Sequence, residues 1–540
     1  MISKDNEKMG GDSQAAVPAG GAVPAASKWL IAITVMFGAF MAVMDLSVVN
    51  VSLPHMMGSF NQDLSSITWV ATAYSIAEII MITMSGWWST LIGRKRLFLA
   101  SFAVFTLGSL LCSTATSFPQ ILTYRVIQGL GGGALIPVSQ AILRETFPKE
   151  EQGMAMGIYG MGVVLAPAMG PVLGGWLTDS FGWPWIFYIN LPVSLVGMFF
   201  VWTFVEDPPY LRRGVKIVDW LGIILLAVTL TAMQIVLERG QEKNWFDSSF
   251  ILAGTVICLV SLTLLVIWET RIPEPIINFR VLKNVPLAVG SAMGLIFGVA
   301  LFGTTFILPQ FTQELLGYTA FKAGLALAPR ALMLLMFMPI AGALYRRFDP
   351  RLLVFTGIGI IVFSYYDLSR LELAAGFWNF VPALLIMGVG IPFMFVSMST
   401  IALSTVRRIN MTDASSLYTL ARSVGGNIGY ALTATLVARG VQIHRSILVS
   451  HVSIFDPAYV EFSRSVSSFL SHAGVGAAAA PGVSLALADS IVNRQAAMMA
   501  YNDVSMVFGI LFLATVPLLF ILPNRATIMA SMGTPIMKSK

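Results

Sequence analysis

Between Gln120 and Pro192 the chain carries an apolar segment long enough to cross a bilayer, yet Pro167 and Pro171 interrupt it and glycines crowd it. About 20 residues at helical rise span the hydrocarbon core. In lipid, a backbone group freed by proline must be satisfied by a neighbouring helix or a cavity. This helix must therefore bend and face protein. Gly162, Gly170 and Gly174 follow one another along it and leave a bare face on which another backbone can press. Such faces are common in packed helices, but the two prolines beside this one point to a hinge.

The whole chain has the composition of a polytopic membrane protein. Of its 540 residues 56% are hydrophobic and 11% charged, and the mean hydropathy is +0.79. A net charge of +6 would point to nucleic acid in a soluble chain, but here its placement decides. Apolar runs predict fourteen transmembrane helices between residues 29 and 522, an all-α polytopic fold. Arg94-Lys95-Arg96, Arg144 with Lys149, Arg212-Arg213 with Lys216, Arg271 with Arg280 and Lys283, Arg346-Arg347 with Arg351, and Arg407-Arg408 fall in alternate loops. Loops 54–67, 117–119 and 179–184 have no lysine or arginine. The positive-inside rule places the basic loops and both termini in the cytoplasm, with Arg239 and Lys243 an outnumbered exception.

Residues 1–28 read as a disordered cytoplasmic tail, because the apolar run after them has full spanning length and no small-residue cleavage site. Cys112 and Cys258 fall inside predicted helices and read as core residues, so no disulfide, metal or cofactor is expected. A weak internal repeat is visible. One span ends in Leu53-Pro54 and another in Leu308-Pro309, while Gly86 and Gly342 each lead by a short loop to a basic cluster. The repeat divides the chain into a six-helix bundle at 29–205, two inserted helices at 206–284, a second six-helix bundle at 285–522 and a cytoplasmic tail at 523–540. Parallel halves of this kind hold a substrate site at their interface near the midplane. Within the second bundle, 439–499 is expected as an outsized outer loop, either a mobile insertion or a docking surface.

Several stretches carry a family resemblance. Gly170-Pro171-Val172-Leu173-Gly174-Gly175 resembles the antiporter motif of the major facilitator superfamily, and Leu122-Thr123-Tyr124-Arg125 through Gly133 resembles its fourth-helix motif. Trp185-Ile186-Phe187-Tyr188-Ile189-Asn190-Leu191-Pro192 resembles the start of the sixth helix in the fourteen-helix drug:proton antiporters of the EmrB/QacA type. The run from Met44-Asp45 to Leu53-Pro54 is similar to the first-helix motif of that branch, with Ser47 and Val48 as departures. The loop holding Gly86, Gly93 and Arg94 resembles the cytoplasmic-gate motif, but Thr90 stands where the family has aspartate. The resemblance implies a major facilitator fold with a hinge and seal at Pro167, Gly170, Pro171, Gly174 and Gly175. It also implies proton-coupled export of hydrophobic or amphipathic toxic compounds across the bacterial inner membrane. Loop 439–499 would then meet an EmrA-type periplasmic membrane fusion protein, itself joined to an outer-membrane channel.

An ionisable side chain at mid-bilayer costs about 2.5 to 3.5 kcal/mol on insertion scales, so each one calls for a role. Asp45 is the strongest candidate: a carboxylate that is dry when a cavity faces one side and wet when it faces the other can carry a proton, the alternative being a carboxylate that caps a neighbouring helix or pairs structurally with an arginine. Arg125 is its expected partner, because a nearby cation favours the charged carboxylate and their separation favours proton uptake, the alternative being a structural bridge to backbone carbonyls. Glu78 is a second mid-span carboxylate, able to bind a cationic substrate, hold a second proton or bond to a neighbour. Arg422 either attracts an anionic substrate or is buried against carbonyls beside Gly425, Gly426 and Gly429, and Arg330 is a further deep cation. Met36, Met41, Met44, Met81 and Met84 offer a soft wall near Asp45 or ordinary packing.

No Gly-Lys-Ser/Thr loop, His-Glu-x-x-His or Cys-x-x-Cys occurs, and the four histidines lie outside the predicted spans. The sequence therefore predicts a transporter, not an enzyme, whose partners are lipophilic small molecules, protons and the lipid bilayer, and not nucleic acid. Two repeated bundles with a kinked helix fit alternating access better than a static pore. A transporter of the same fold devoted to one metabolite, siderophore or peptide stays open as the alternative.

Overall fold

The structure, a computed structural model, describes residues 25–148, 150–207, 218–318, 320–453, 455–472 and 480–525. Most of both expected tails, Lys149, the cluster Arg212, Arg213 and Lys216, and the Ala/Gly-rich stretch 473–479 lie outside the described residues. The first half contains α1 (Ala25–Phe60), α2 (Trp69–Ile92), α3 (Arg94–Ser113), α4 (Phe118–Thr146), α5 (Gln152–Phe181) and α6 (Asn190–Phe204). Two further helices follow, α7 (Trp220–Arg239) and α8 (Ser249–Arg271). The second half contains α9 (Val285–Gln310), α10 (Ala320–Tyr345), α11 (Pro350–Leu368), α12 (Phe377–Ser404), α13 (Met411–Ser450) and α14 (Ala480–Leu513).

Among the described residues twelve helices are apolar and long enough to cross a membrane, and the bent α5 makes a thirteenth. α13 falls short on hydropathy because Ser415, Ser416, Thr419, Arg422 and three glycines occupy its buried positions. It runs through the interior of the bundle, where a neighbour, not lipid, faces those residues. The pairing of helices shows why two halves are needed. α1 lies along α5, α2 along α4 and α3 along α4, while α9 lies along α13, α10 along α12 and α11 along α12. Each contact recurs eight helices later. Between the halves the principal contacts, α5 with α10 and α2 with α13, exchange under the same shift.

The inserted α7 and α8 form a hairpin joined by Thr229 Oγ1 donating to Ser261 Oγ at 2.9 Å. The hairpin reaches both halves. The Thr72 hydroxyl on α2 donates to Glu238 on α7, and Asn427 Nδ2 on α13 donates to Gln234 Oε1 on α7 at 2.5 Å. α7 is thus a strut across the seam between α2 and α13.

α5 bends by 50° between Gln152–Pro167 and Val172–Phe181. Pro171 has no N–H, so the carbonyl of Pro167, four residues back, loses its helical donor. Ser47 Oγ on α1 supplies a replacement at 3.1 Å. A β-carbon at Gly170 would collide with Ser47, and one at Gly174 would come within 2.9 Å of the Val48 carbonyl oxygen. Gly175 looks instead into open space, and the ring of Pro171 is outside the described residues.

The segment 439–499 differs from the loop expected. α13 continues helical to Ser450, a separate amphipathic helix covers Pro457–His472, and α14 begins at Ala480. His444 Nε2 meets Asp503 Oδ2 at 2.7 Å and Arg445 pairs with Asp489 at 2.8 Å. Two helices that continue side by side beyond the bilayer can be polar, which is why hydropathy missed them.

Candidate functional site

A cavity of about 520 Å³ lies between the halves, lined by residues of α1, α2, α4, α5, α9, α10, α12 and α13. That size suits a drug-sized ligand. Its mouth is marked by His55 and Asp179, whose side chains are 54% and 75% exposed and lie 3.8 Å apart. The mouth lies away from the basic loops. At the opposite, basic end the halves are sealed. Ser85 and Ser416 hydroxyls meet at 2.6 Å, Ser415 Oγ donates to the Pro137 carbonyl at 2.9 Å, and Asp413 presses on Gly86. The conformation is therefore open only on the side away from the basic loops.

Of the five ionisable residues singled out from sequence, two face this cavity: Glu78 on α2 and Arg422 on α13. Neither forms an ion pair with any described residue. Arg422 is 4% exposed. Its guanidinium sits 5.5 Å from the Phe395 ring and leaves Nη1 without a partner. The walls around these charges are apolar, from Val43, Leu46 and Ile79 on one side to Leu301, Phe302 and Phe306 on the other.

Asp45 and Arg125 lie behind that wall and do not line the cavity. Arg125 Nη1 donates to Asp45 Oδ2 at 2.5 Å and to Gln128 Oε1 at 2.7 Å, while Nε donates to the Val70 carbonyl at 3.0 Å. The other carboxylate oxygen of Asp45 accepts from Gln128 Nε2 at 2.7 Å and from Asn190 Nδ2 at 3.0 Å. Ser109 Oγ accepts from the same two amides. Five side chains from α1, α3, α4 and α6 thus close one knot, all of them buried. Tyr74 links it to the cavity: its ring lies 4.2 Å from the Arg125 guanidinium, and it stands one helical turn before Glu78. Gly129 and Gly133 make this possible. A β-carbon at Gly129 would lie 2.5 Å from the Tyr74 carbonyl oxygen, and one at Gly133 would strike that of Glu78.

The gate residues named from sequence come together at the basic end. Gly93 makes the α2–α3 turn at φ +91°, a left-handed geometry that suits glycine. Arg94 pairs with Glu145 and donates to the Arg408 carbonyl at 3.3 Å. With Thr90 in place of aspartate, the carboxylates near this gate include Glu145 on α4, Asp413 on α13 and Asp207, which accepts from the Lys95 N–H at 2.8 Å. Arg144 corrects an expectation: read as a loop cation, it is 4% exposed and donates to the carbonyls of Ser399 and Thr400, each at 2.8 Å. A lone arginine at the end of an apolar run looks the same in sequence whether it meets headgroups or the other half. The methionine wall is also not found, since among the described residues no methionine lines the cavity. Met41, Met44 and Met84 are buried, and Met36 fills the face left bare by Gly162. Asn190, Gln128 and Tyr74 were missed because uncharged polar residues in a span carry little signal until their partners are known. Cys112 and Cys258 are free thiols.

The sequence profile of the Major Facilitator Superfamily matches residues 35–430. The multidrug export protein EmrB of Haemophilus influenzae is 32% identical over 447 residues, 82% of this chain and 86% of that protein. The fatty acid resistance protein FarB of Neisseria gonorrhoeae is 28% identical over 500 residues, 92% of this chain and 96% of that protein. Among solved structures, the human organic anion transporter MFSD10 matches with a TM-score of 0.58 at 12% identity, over 91% of this chain and 99% of that one.

Proposed function

The chain belongs to the major facilitator superfamily, in its EmrB-type branch, and from that premise we propose that it is a proton-coupled exporter of hydrophobic and amphipathic toxic compounds. It is a multi-pass protein of the bacterial inner membrane, and a transporter rather than an enzyme. The observation that carries the reading is the cavity between the halves, closed at the basic end and holding the unpaired carboxylate of Glu78. With the basic loops and both termini in the cytoplasm, the mouth is the outer one and the structure is the outward-open state.

In this state Glu78 exchanges its proton with the outside, because it is the acidic residue lining the cavity inward of Asp179 at the mouth. Asp45, dry and bound to Arg125, is the second coupling group, and Tyr74, on the same helix as Glu78, stacks on Arg125. Rocking about the bend in α5 would break the Ser85–Ser416 seal and open the cavity inward. An electrochemical gradient of about 100 mV supplies roughly 2.3 kcal/mol per charge moved, which drives uphill export when proton and substrate compete for one site.

The helical projection at 439–499 exposes Phe455 and Phe469 at 86% and 73%. That apolar surface supports docking of an EmrA-type membrane fusion protein, and through it an outer-membrane channel. The similarity to FarB favours a second reading, an exporter devoted to one amphiphile class. The test is uptake of a lipophilic fluorescent dye into inside-out vesicles under a pH gradient. Native protein accumulates dye, a protonophore abolishes uptake, and Asp45→Asn, still folded, does not accumulate it. Gradient-independent uptake by the native chain would refute proton coupling, and transport confined to one amphiphile class would favour the second reading.

A further inference from the structure

The cavity contains two opposite charges that do not meet, and this constrains the substrate. Other buried arginines already have partners: Arg125 has Asp45, Arg94 has Glu145, and Arg144 has two carbonyls. Arg330, buried with only Thr305 at 3.4 Å, borders a gap of about 10 Å³, too small for a ligand. Arg422 alone combines burial, a guanidinium nitrogen without a partner and a place on the cavity wall. A buried charge left unpaired is strongly unfavourable, and an anion that reaches it removes that penalty. His55 and Asp179 at the mouth are solvent-exposed and are screened.

Coupling narrows the choice. A purely anionic substrate is favoured when Glu78 is protonated and would travel with the proton, the opposite of exchange. A purely cationic one competes with the proton for Glu78 but leaves Arg422 unmatched. We propose that the preferred substrates are zwitterionic amphiphiles, with the anionic group on Arg422, the cationic group on Glu78 and the apolar body against Leu301, Phe302 and Phe306. This inference rests on the export reading above.

Two probes of one shape test it: rhodamine B, which carries a free carboxylate beside its cationic ring system, and its ethyl ester, which is only cationic. Binding to the purified full chain in nanodiscs is read by fluorescence polarisation at neutral pH. The native chain should bind rhodamine B about tenfold more tightly than the ester, the scale of one hydrogen-bonded charge pair. Arg422→Gln should erase that ratio by weakening rhodamine B and leaving the ester's affinity unchanged or raised, since a like charge is removed, and Arg422→Lys should keep part of it. Ester affinity that is retained or raised in Arg422→Gln reports an intact cavity. Equal affinities in the native chain, a preference for the ester, or an Arg422→Gln loss that is the same for both dyes would overturn the proposal while leaving export standing. Failure of the native chain to bind either dye would sink the export reading as well.

Discussion

Two carboxylate–arginine sets lie near one another in the first half and at its border, and they are built in opposite ways. Asp45 and Arg125 touch, share Gln128 and are shielded by Asn190, Ser109 and Tyr74. Glu78 and Arg422 face a common space without touching. In the first set every charge has its answer inside the protein, so the set fixes geometry and resists water. In the second the answers are missing, so a ligand and a proton must supply them. Charge in a membrane helix therefore marks two different uses, and the partners decide which.

The largest effect is expected from breaking the closed set. Arg125→Ala leaves Asp45 buried without its cation and should cost about 3 to 5 kcal/mol. Thermal unfolding in detergent would show this as a large fall in Tm, together with loss of transport. Gly342→Val acts on the seal at the basic end, where a β-carbon would lie 2.6 Å from the Gly153 carbonyl oxygen and 2.8 Å from Met154 Cα. Overpacking of about 1 to 3 kcal/mol should shift the population inward-open, read as increased thiol labelling of Ser416→Cys from the basic side. Gln234→Ala removes the acceptor for Asn427 and should cost about 0.5 to 1.5 kcal/mol, measured as a modest loss of Tm with the cavity still binding dye. The smallest change in stability is expected for Glu78→Gln. Removing a charge that has no partner should be neutral or slightly stabilising, so a large drop in Tm would contradict the contrast between the two sets.

Much of this architecture was legible in the sequence, for reasons that also mark where legibility ended. The bend in α5 follows from Pro171, whose missing N–H predicts a free carbonyl, and the glycines beside it predict a close neighbour. Asp45 and Arg125 were legible as a pair because isolated opposite charges in apolar spans need partners, even with α2 and α3 between them in the sequence. The face that each helix turns to the cavity was not legible, since α1 and α2 are apolar around most of their surface and periodicity assigns no direction. Glu78 and Asp45 thus looked alike, though one lines the cavity and the other lies behind its wall. Arg144 and the helices of 439–499 were misjudged for the same physical reason: their surroundings are other helices, which local composition does not report.

The most direct test of the account is dye-dependent proton movement in proteoliposomes, measured with an internal pH indicator for the native chain, Glu78→Gln and Asp45→Asn side by side. The account predicts that rhodamine B drives proton flux through the native chain and through neither variant, while Glu78→Gln keeps its native Tm. Full dye-dependent proton flux in Glu78→Gln would contradict it, because the carboxylate in the cavity would then have no part in the exchange.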